Sequence, residues 1–257
     1  MNGSRVALLF VAGLAAGLMN AVAGGGTILT FPALIFAGVP SIGANATSTV
    51  ALLLGSLAGV AGYRRILPAV WHWIKLFVAV SLVGGLIGGI LLTETPEHVF
   101  DRLVPFLILF ATVLFTARTV FIRLFQLEVR QASSRGWVIA AITFQFFVAV
   151  YGGYFGAGIG ILMLASLGVL GFDDIHEMNA VKGVLSFLIN AIAAVYFIFK
   201  GLTDWPAAGI ITVGAIAGGY SGAHFSQKVS QKMVRSCVTA VGLLITAVMF
   251  YKQLRSG

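Results

Sequence analysis

Charge is scarce in this chain. Only 9% of its 257 residues are Asp, Glu, Lys or Arg, where a soluble surface of this size draws on about 25%. A soluble enzyme is thereby excluded. Acid is scarcer than base, 8 Asp plus Glu against 16 Lys plus Arg, and no carboxylate falls in the middle of an apolar run. The carboxylate relay of many proton and sodium carriers therefore has no obvious owner, and an intramembrane hydrolase lacks its grouped nucleophile and base. Cysteine is limited to Cys237, so no intrachain disulfide framework exists and the redox compartment stays unread. Neither a G-x-G-x-x-G nor a Walker lysine follows a plausible strand, and the acids and histidines lack metal-ligand spacing. No cofactor and no metal are expected.

Apolar residues fill the space that charge leaves. They make up 59% of the chain, with 32 glycines besides. A bilayer core of about 30 Å takes about 20 mostly apolar residues per helix. Eight runs fit: 6–23, 46–63, 71–92, 99–121, 137–155, 180–199, 205–225 and 234–251. Two more, 28–39 and 159–170, are too short to cross alone and each follows a glycine cluster, which reads as a half-helix. The first run, with Arg5 ahead of it and Ala21-Val22-Ala23 at its end, also fits a secretory signal. Against that, the pattern around residue 23 reappears around residue 157, deep in the chain.

The formal charge of +8 does not indicate nucleic acid, because the bases are scattered between apolar runs rather than gathered with polar and aromatic neighbours. Lipid headgroups and the positive-inside bias account for them. Arg64, Arg65, Arg118, Arg123, Arg130 and Arg135 mark cytoplasmic connections, whereas the turn Thr93-Glu94-Thr95-Pro96-Glu97 carries acid and no base. An even number of crossings puts both termini in the cytoplasm, which suits Arg5, Lys252 and Arg255 but strands Lys228, Lys232 and Arg235 outside. Re-entrant glycine segments would invert the second half.

Sliding the chain by 134 residues lays Ala157, Gly158 and Gly160 on Ala23, Gly24 and Gly26. Asn179-Ala180 then meets Asn45-Ala46, Trp205 meets Trp71, and Gly218, Gly219 and Gly222 meet Gly84, Gly85 and Gly88. The register implies two membrane repeats, 1–121 and 137–257, joined by a basic cytoplasmic linker at 122–136; whether they run parallel or inverted is left open. Internal repeats with interrupted helices mark many secondary transporters. The expected fold is therefore an all-α membrane protein of about eight transmembrane helices, in two homologous four-helix repeats with glycine-interrupted or re-entrant segments.

Candidate binding residues gather at the breaks. Gly24, Gly25, Gly26 and Thr27, and Gly158 and Gly160 in the second copy, leave backbone NH groups that protein, water or a ligand must meet, at a half-helix N-terminus suited to an anion. Close packing through small residues is the alternative. Asn45, Thr47 and Ser48 open one span, and Asn179, Lys182 and Ser186 share a face of the matching one; asparagine is equally a natural N-cap. An ammonium at position 182 costs a few kcal/mol in an apolar helix unless it snorkels. Asn20 faces the same cavity or bonds between helices. The glycines at 84, 85, 88 and 89, with 218, 219 and 222, read as packing. His72 and His98 are interfacial, His176 belongs to a solvated loop, and His224 is a candidate proton-linked group.

The segment from Gly17 to Thr27, the half-helix ending Phe31-Pro32-Ala33-Leu34, the run Ala44-Asn45-Ala46-Thr47-Ser48 and the close Ala61-Gly62-Tyr63-Arg64-Arg65 resemble the TauE/SafE family of sulfite and organosulfonate transporters. The likeness extends to the degenerate second copy at 156–160 and 179–183. It implies an eight-helix inner-membrane protein that moves sulfite, sulfonates or related anions. The expectation is a secondary carrier of a small anion, most simply an exporter, since an inside-negative potential drives anions outward by about 2.3 kcal/mol per charge per 100 mV. An anion channel or a membrane scaffold is the alternative. Expected partners are the anionic substrate, the lipid bilayer and a coupling proton or cation, with no nucleic acid; a homo-oligomer is left open.

Overall fold

The computed structural model describes residues 2–22, 25–127, 135–169, 172, 174–225 and 231–256. Ten helices follow one another among them: α1 (Gly3–Val22), α2 (Thr27–Phe36), α3 (Ser41–Gly62), α4 (Leu67–Glu94), α5 (Glu97–Leu127), α6 (Arg135–Tyr154), α7 (Ile159–Val169), α8 (Ile175–Phe199), α9 (Trp205–Phe225) and α10 (Gln231–Ser256). Eight are long and match the eight apolar runs; α2 and α7 are the two short segments behind the glycine clusters. Five of the long ones are long and apolar enough, over their described residues, to cross a membrane, and α6 and α10 carry shorter apolar stretches. The protein is an all-α, multi-pass membrane protein.

Helix ends show where the chain turns back. Arg5 of α1, Gly38 just past α2, Ile42 of α3, Thr93 of α4, Glu97 of α5, Lys200 just past α8 and Ala207 of α9 all border one cavity. We call this side the cavity face. Since α1 starts there and α2 ends there, the pair α1 and α2 enters and leaves by the same face. Halfway along, Gly26 lies against Ala16 rather than at the tip of α1. The second pair behaves likewise from the other side: α6 runs alongside α4 in the same direction, with Gln145 on Ser81 and Gly153 on Gly85. The chain beyond α7 then comes back to the start of α4, where Phe172 meets the Trp73 ring at 5.1 Å.

With one re-entrant pair and three crossings in the first half, the second half starts on the opposite face. This linker face holds the α3–α4 turn with Arg64 and Arg65. It also holds the start of α10, because α10 is antiparallel to α5, Thr239 pairing with Thr116 and Phe250 with Phe106. The expectation that both termini share a side with Arg64 and Arg65 is corrected. The start of α1 lies opposite, because α2 returns the chain without completing a crossing, and the first turns of α10, which contain residues 232 and 235, lie on the linker face. Lys228 lies outside the described residues.

Lipid tails are as apolar as leucine, so helices in a bilayer associate through close contact rather than through exclusion of water. Glycine sets that closeness here. A Cβ on Gly84 would fall 2.7 Å from the Ala149 Cβ, and on Gly88 it would strike the Val150 carbonyl oxygen of α6. In the α1 and α9 pair, a Cβ on Gly214 would sit 2.5 Å from the Phe10 carbonyl oxygen, and on Gly218 it would strike that of Leu14. Packing against backbone leaves no flexible side chain to yield. Gly218→Ala should therefore lower the thermal midpoint by several degrees, through overpacking of about 1–3 kcal/mol. Gly209→Ala on the same helix, where a Cβ meets nothing within 4 Å, should leave it within a degree; equal shifts would refute backbone contact as the cause.

Candidate functional site

The first glycine break closes on its own chain. Gly25 turns with φ +93°, a left-handed conformation that favours glycine. Gly26 then gives its N–H to the Asn20 side-chain oxygen at 2.8 Å. The amides of Ile28 and Leu29 reach the carbonyls of Gly25 and Gly26 at 3.0 Å. Asn20 is thus a local cap for a helix that starts inside the bundle, and Thr27 is the first residue of that helix. Gly24 lies outside the described residues.

Around the start of α3 the polar side chains are buried and joined to other elements. Ser48 and Thr30 of α2 share a hydrogen bond of 2.6 Å, and the Thr47 hydroxyl accepts the Asp204 N–H at 2.9 Å. Asn45, 1% exposed, donates its Nδ2 to the Tyr154 carbonyl at 2.9 Å. That carbonyl is one of those freed where α6 stops, so a residue of the first half secures the break in the second. The Asn45 Oδ1 atom is buried without a hydrogen-bond partner. The Tyr151 hydroxyl donates to Ala157 O at 2.7 Å, within the second break itself.

That second break carries Gly156 and Gly158 at φ +78° and +79°. The Gly158 carbonyl accepts the Ile161 N–H at 2.9 Å, as an ordinary first turn would. Gly160 has a different neighbour: a Cβ there would sit 3.4 Å from Lys182 Cδ, so the missing side chain makes room for the lysine stem. Lys182 gives one ammonium hydrogen to Asn179 Oδ1 at 2.8 Å. The Ser186 hydroxyl lies on Met163 Sδ at 3.0 Å.

These residues form two clusters rather than one. Gly43 of α3 lies against the Leu202 carbonyl, and Gly183 of α8 against Val60, so α3 and α8 run antiparallel. Asn45, Thr47 and Ser48 sit toward the cavity face; Asn179, Lys182 and Ser186 sit toward the linker face. At 1.5 Å per residue the clusters are roughly 20 Å apart along the helices.

Sequence reading did not place the cavity at the head of the first cluster. It has a volume of about 710 Å³ and is bordered by Arg5, Glu97, Lys200, Thr203 and Asp204. These charges sit in turns and first helical turns, where composition reads them only as membrane-boundary residues. Glu97 Oε1 accepts the Ile42 N–H at 3.0 Å and Asp204 Oδ1 accepts the Ala207 N–H at 3.0 Å, so both carboxylates cap helix starts. Among the described residues no group of three His, Cys, Asp or Glu side chains gathers to hold a metal ion.

The profile of the sulfite exporter TauE/SafE family matches residues 9–249. The chain belongs to the TauE/SafE family. A probable membrane transporter protein of Haemophilus influenzae is 27% identical over 249 residues, covering 96% of this chain and 95% of the relative. Others, from Sinorhizobium and Escherichia coli, are 26% identical over 93% and 27% identical over 95% of this chain. No solved structure matches. The protein is thus a multi-pass membrane transporter of the TauE/SafE family.

The Asn45 bond has a measurable weight within this TauE/SafE chain. Asn45→Ala leaves the Tyr154 carbonyl buried without its donor, and should destabilise the protein by about 1–3 kcal/mol. Thr49→Ala removes only a bond to a carbonyl of its own helix and should cost less than half as much. Thermal unfolding of the purified protein reads the difference, and equal losses would show that the clasp between halves carries no special load.

Proposed function

We propose that the protein is a secondary carrier that exports a small anion, either sulfite or an organosulfonate or other organic acid, by alternating access between its halves. The observation that carries this reading is Lys182. Its ammonium sits two turns inside α8, half-buried, with its stem on Gly160 at the start of α7. A cation at that depth costs a few kcal/mol on insertion scales and in spans marks a solute or ion pathway. The family name, sulfite exporter, agrees in the sign of the cargo. An inside-negative potential supplies the outward force for an anion, about 2.3 kcal/mol per charge per 100 mV, without ATP.

Two further observations support exchange between halves. The starts of α3 and α8, at Ser41 and Ile175, and of α5 and α10, at Glu97 and Gln231, obey the 134-residue offset. The pairings α1 with α9 and α4 with α6 are each other's counterparts under it. In this reading residues 1–121 and 137–257 are inverted repeats, 122–136 is their linker, and the linker face with its arginines is cytoplasmic.

Protein reconstituted in liposomes should show saturable sulfite or sulfonate flux accelerated by the same anion inside. Flux rising linearly with concentration would indicate a channel instead. Lys182→Gln should lower kcat/KM at least ten-fold; an unchanged value in folded protein removes Lys182 from the pathway. Sidedness has its own test, in a chain carrying Cys237→Ser. A membrane-impermeant thiol reagent applied to intact cells should label Lys200→Cys and spare Arg65→Cys, and the reverse pattern would invert the orientation.

A further inference from the structure

The cavity at the outer end of α3 holds more chemistry than a gap between turns requires. Arg5 borders it from α1, its guanidinium 3.6 Å from where a Cβ on Gly38 would lie. Lys200 borders it from the α8–α9 turn, with its ammonium 5.6 Å from the Tyr196 ring. Between these elements Thr203 Oγ1 is buried without a hydrogen-bond partner. A buried hydroxyl left unpaired costs about 1–3 kcal/mol, and a ligand that accepts its hydrogen recovers that cost.

The sign of the ligand follows from the four charges. Glu97 and Asp204 are both engaged by helix amides, of Ile42 and Ala207, and the positive ends of α3 and α9 offset part of their charge. Lys200 caps the C-terminal end of α8, which offsets part of its charge; the Arg5 guanidinium, in the first turn of α1, stands at a positive helix end and has no such offset. An anion is the complementary guest. Its size follows from the volume: about 710 Å³ lies in the range of sites for drug-sized molecules, far more than one inorganic oxyanion fills. Leu9, Val39, Pro40 and Leu202 supply apolar wall.

Architecture alone does not call for these residues. Under the 134-residue offset the counterparts of Arg5, Lys200, Thr203, Asp204 and Glu97 are Ile139, Ile66, Ala69, Val70 and Gln231. At these five positions the other half carries no charge. We infer that this cavity is an outer binding site for an organic oxyanion, a sulfonate or carboxylate with an apolar body, held by Arg5, Lys200 and the Thr203 hydroxyl. It is a second site, at the far end of the molecule from Lys182. The inference rests on the anion-carrier reading for its cargo; an anionic lipid headgroup shares the same chemistry and is separated by the test.

Binding of benzenesulfonate and of inorganic sulfite to the full-length protein, purified in lipid-free detergent, is measured by calorimetry and by thermal shift. Benzenesulfonate should bind at least ten-fold more tightly than sulfite, and Arg5→Gln, Lys200→Gln and the near-isosteric Thr203→Val should each weaken it three-fold or more. Lys182→Gln should leave this binding within two-fold. Weakening by Lys182→Gln alone, or no binding of benzenesulfonate, overturns the outer site. If the anion binds as expected but phosphatidylglycerol nanodiscs abolish the binding, the cavity is a lipid site and the inference also fails. Because binding is read without flux, binding without transport would instead defeat the carrier reading and leave the outer site standing.

Discussion

A helix that stops inside a bilayer frees backbone amides and carbonyls where no water can take them, and the rest of this structure follows from how they are satisfied. Asn20 takes the Gly26 amide, Tyr151 gives its hydroxyl to the Ala157 carbonyl, and Asn45 reaches from the other half to the Tyr154 carbonyl. Two of these solutions are local. The third is not, and it makes the second break depend on the correct docking of the first half. A loss at Asn45 is therefore felt both as stability and as the geometry of α7.

The breaks also govern topology. Because α2 and α7 turn back along α1 and α6, the chain enters α6 from the face opposite to the one where α1 starts. That single consequence gathers Arg64, Arg65 and the first turns of α10 on one face. Close packing then fixes the assembly. In the α1 and α9 pair and in the α4 and α6 pair, glycines put backbone against backbone, so most of the contact energy is dispersion at short range, which a single methyl group disturbs.

Much of the fold was legible because the bilayer demands long apolar runs, and each of the eight runs became a helix within a few residues of its expected ends. The short helices were legible because glycine clusters preceded them. Sidedness was not, since composition cannot tell a half-helix that crosses from one that returns. At the candidate site the sequence pointed to polar residues by type, and the structure shows what type alone conceals. Thr47 and Ser48 look like free hydroxyls in one dimension; the chain brings Asp204 from 157 residues away and Thr30 from 18 to occupy them. Gly160 looks like a helix breaker and instead clears space for Lys182. Arg5 and Lys200 are far apart in the 257-residue chain and meet at one cavity only because α1 and the α8–α9 turn share a face.

The halves share a frame without sharing its chemistry. Asn20 corresponds to Tyr154, Thr30 to Leu164 and Ser48 to Lys182. Here the hydroxyl pair of Thr30 and Ser48 stands toward one face, and the ammonium of Lys182 stands at the equivalent depth toward the other. At this depth of the bundle the two ends are therefore chemically unequal, with a cation on the linker side and hydroxyls alone on the other.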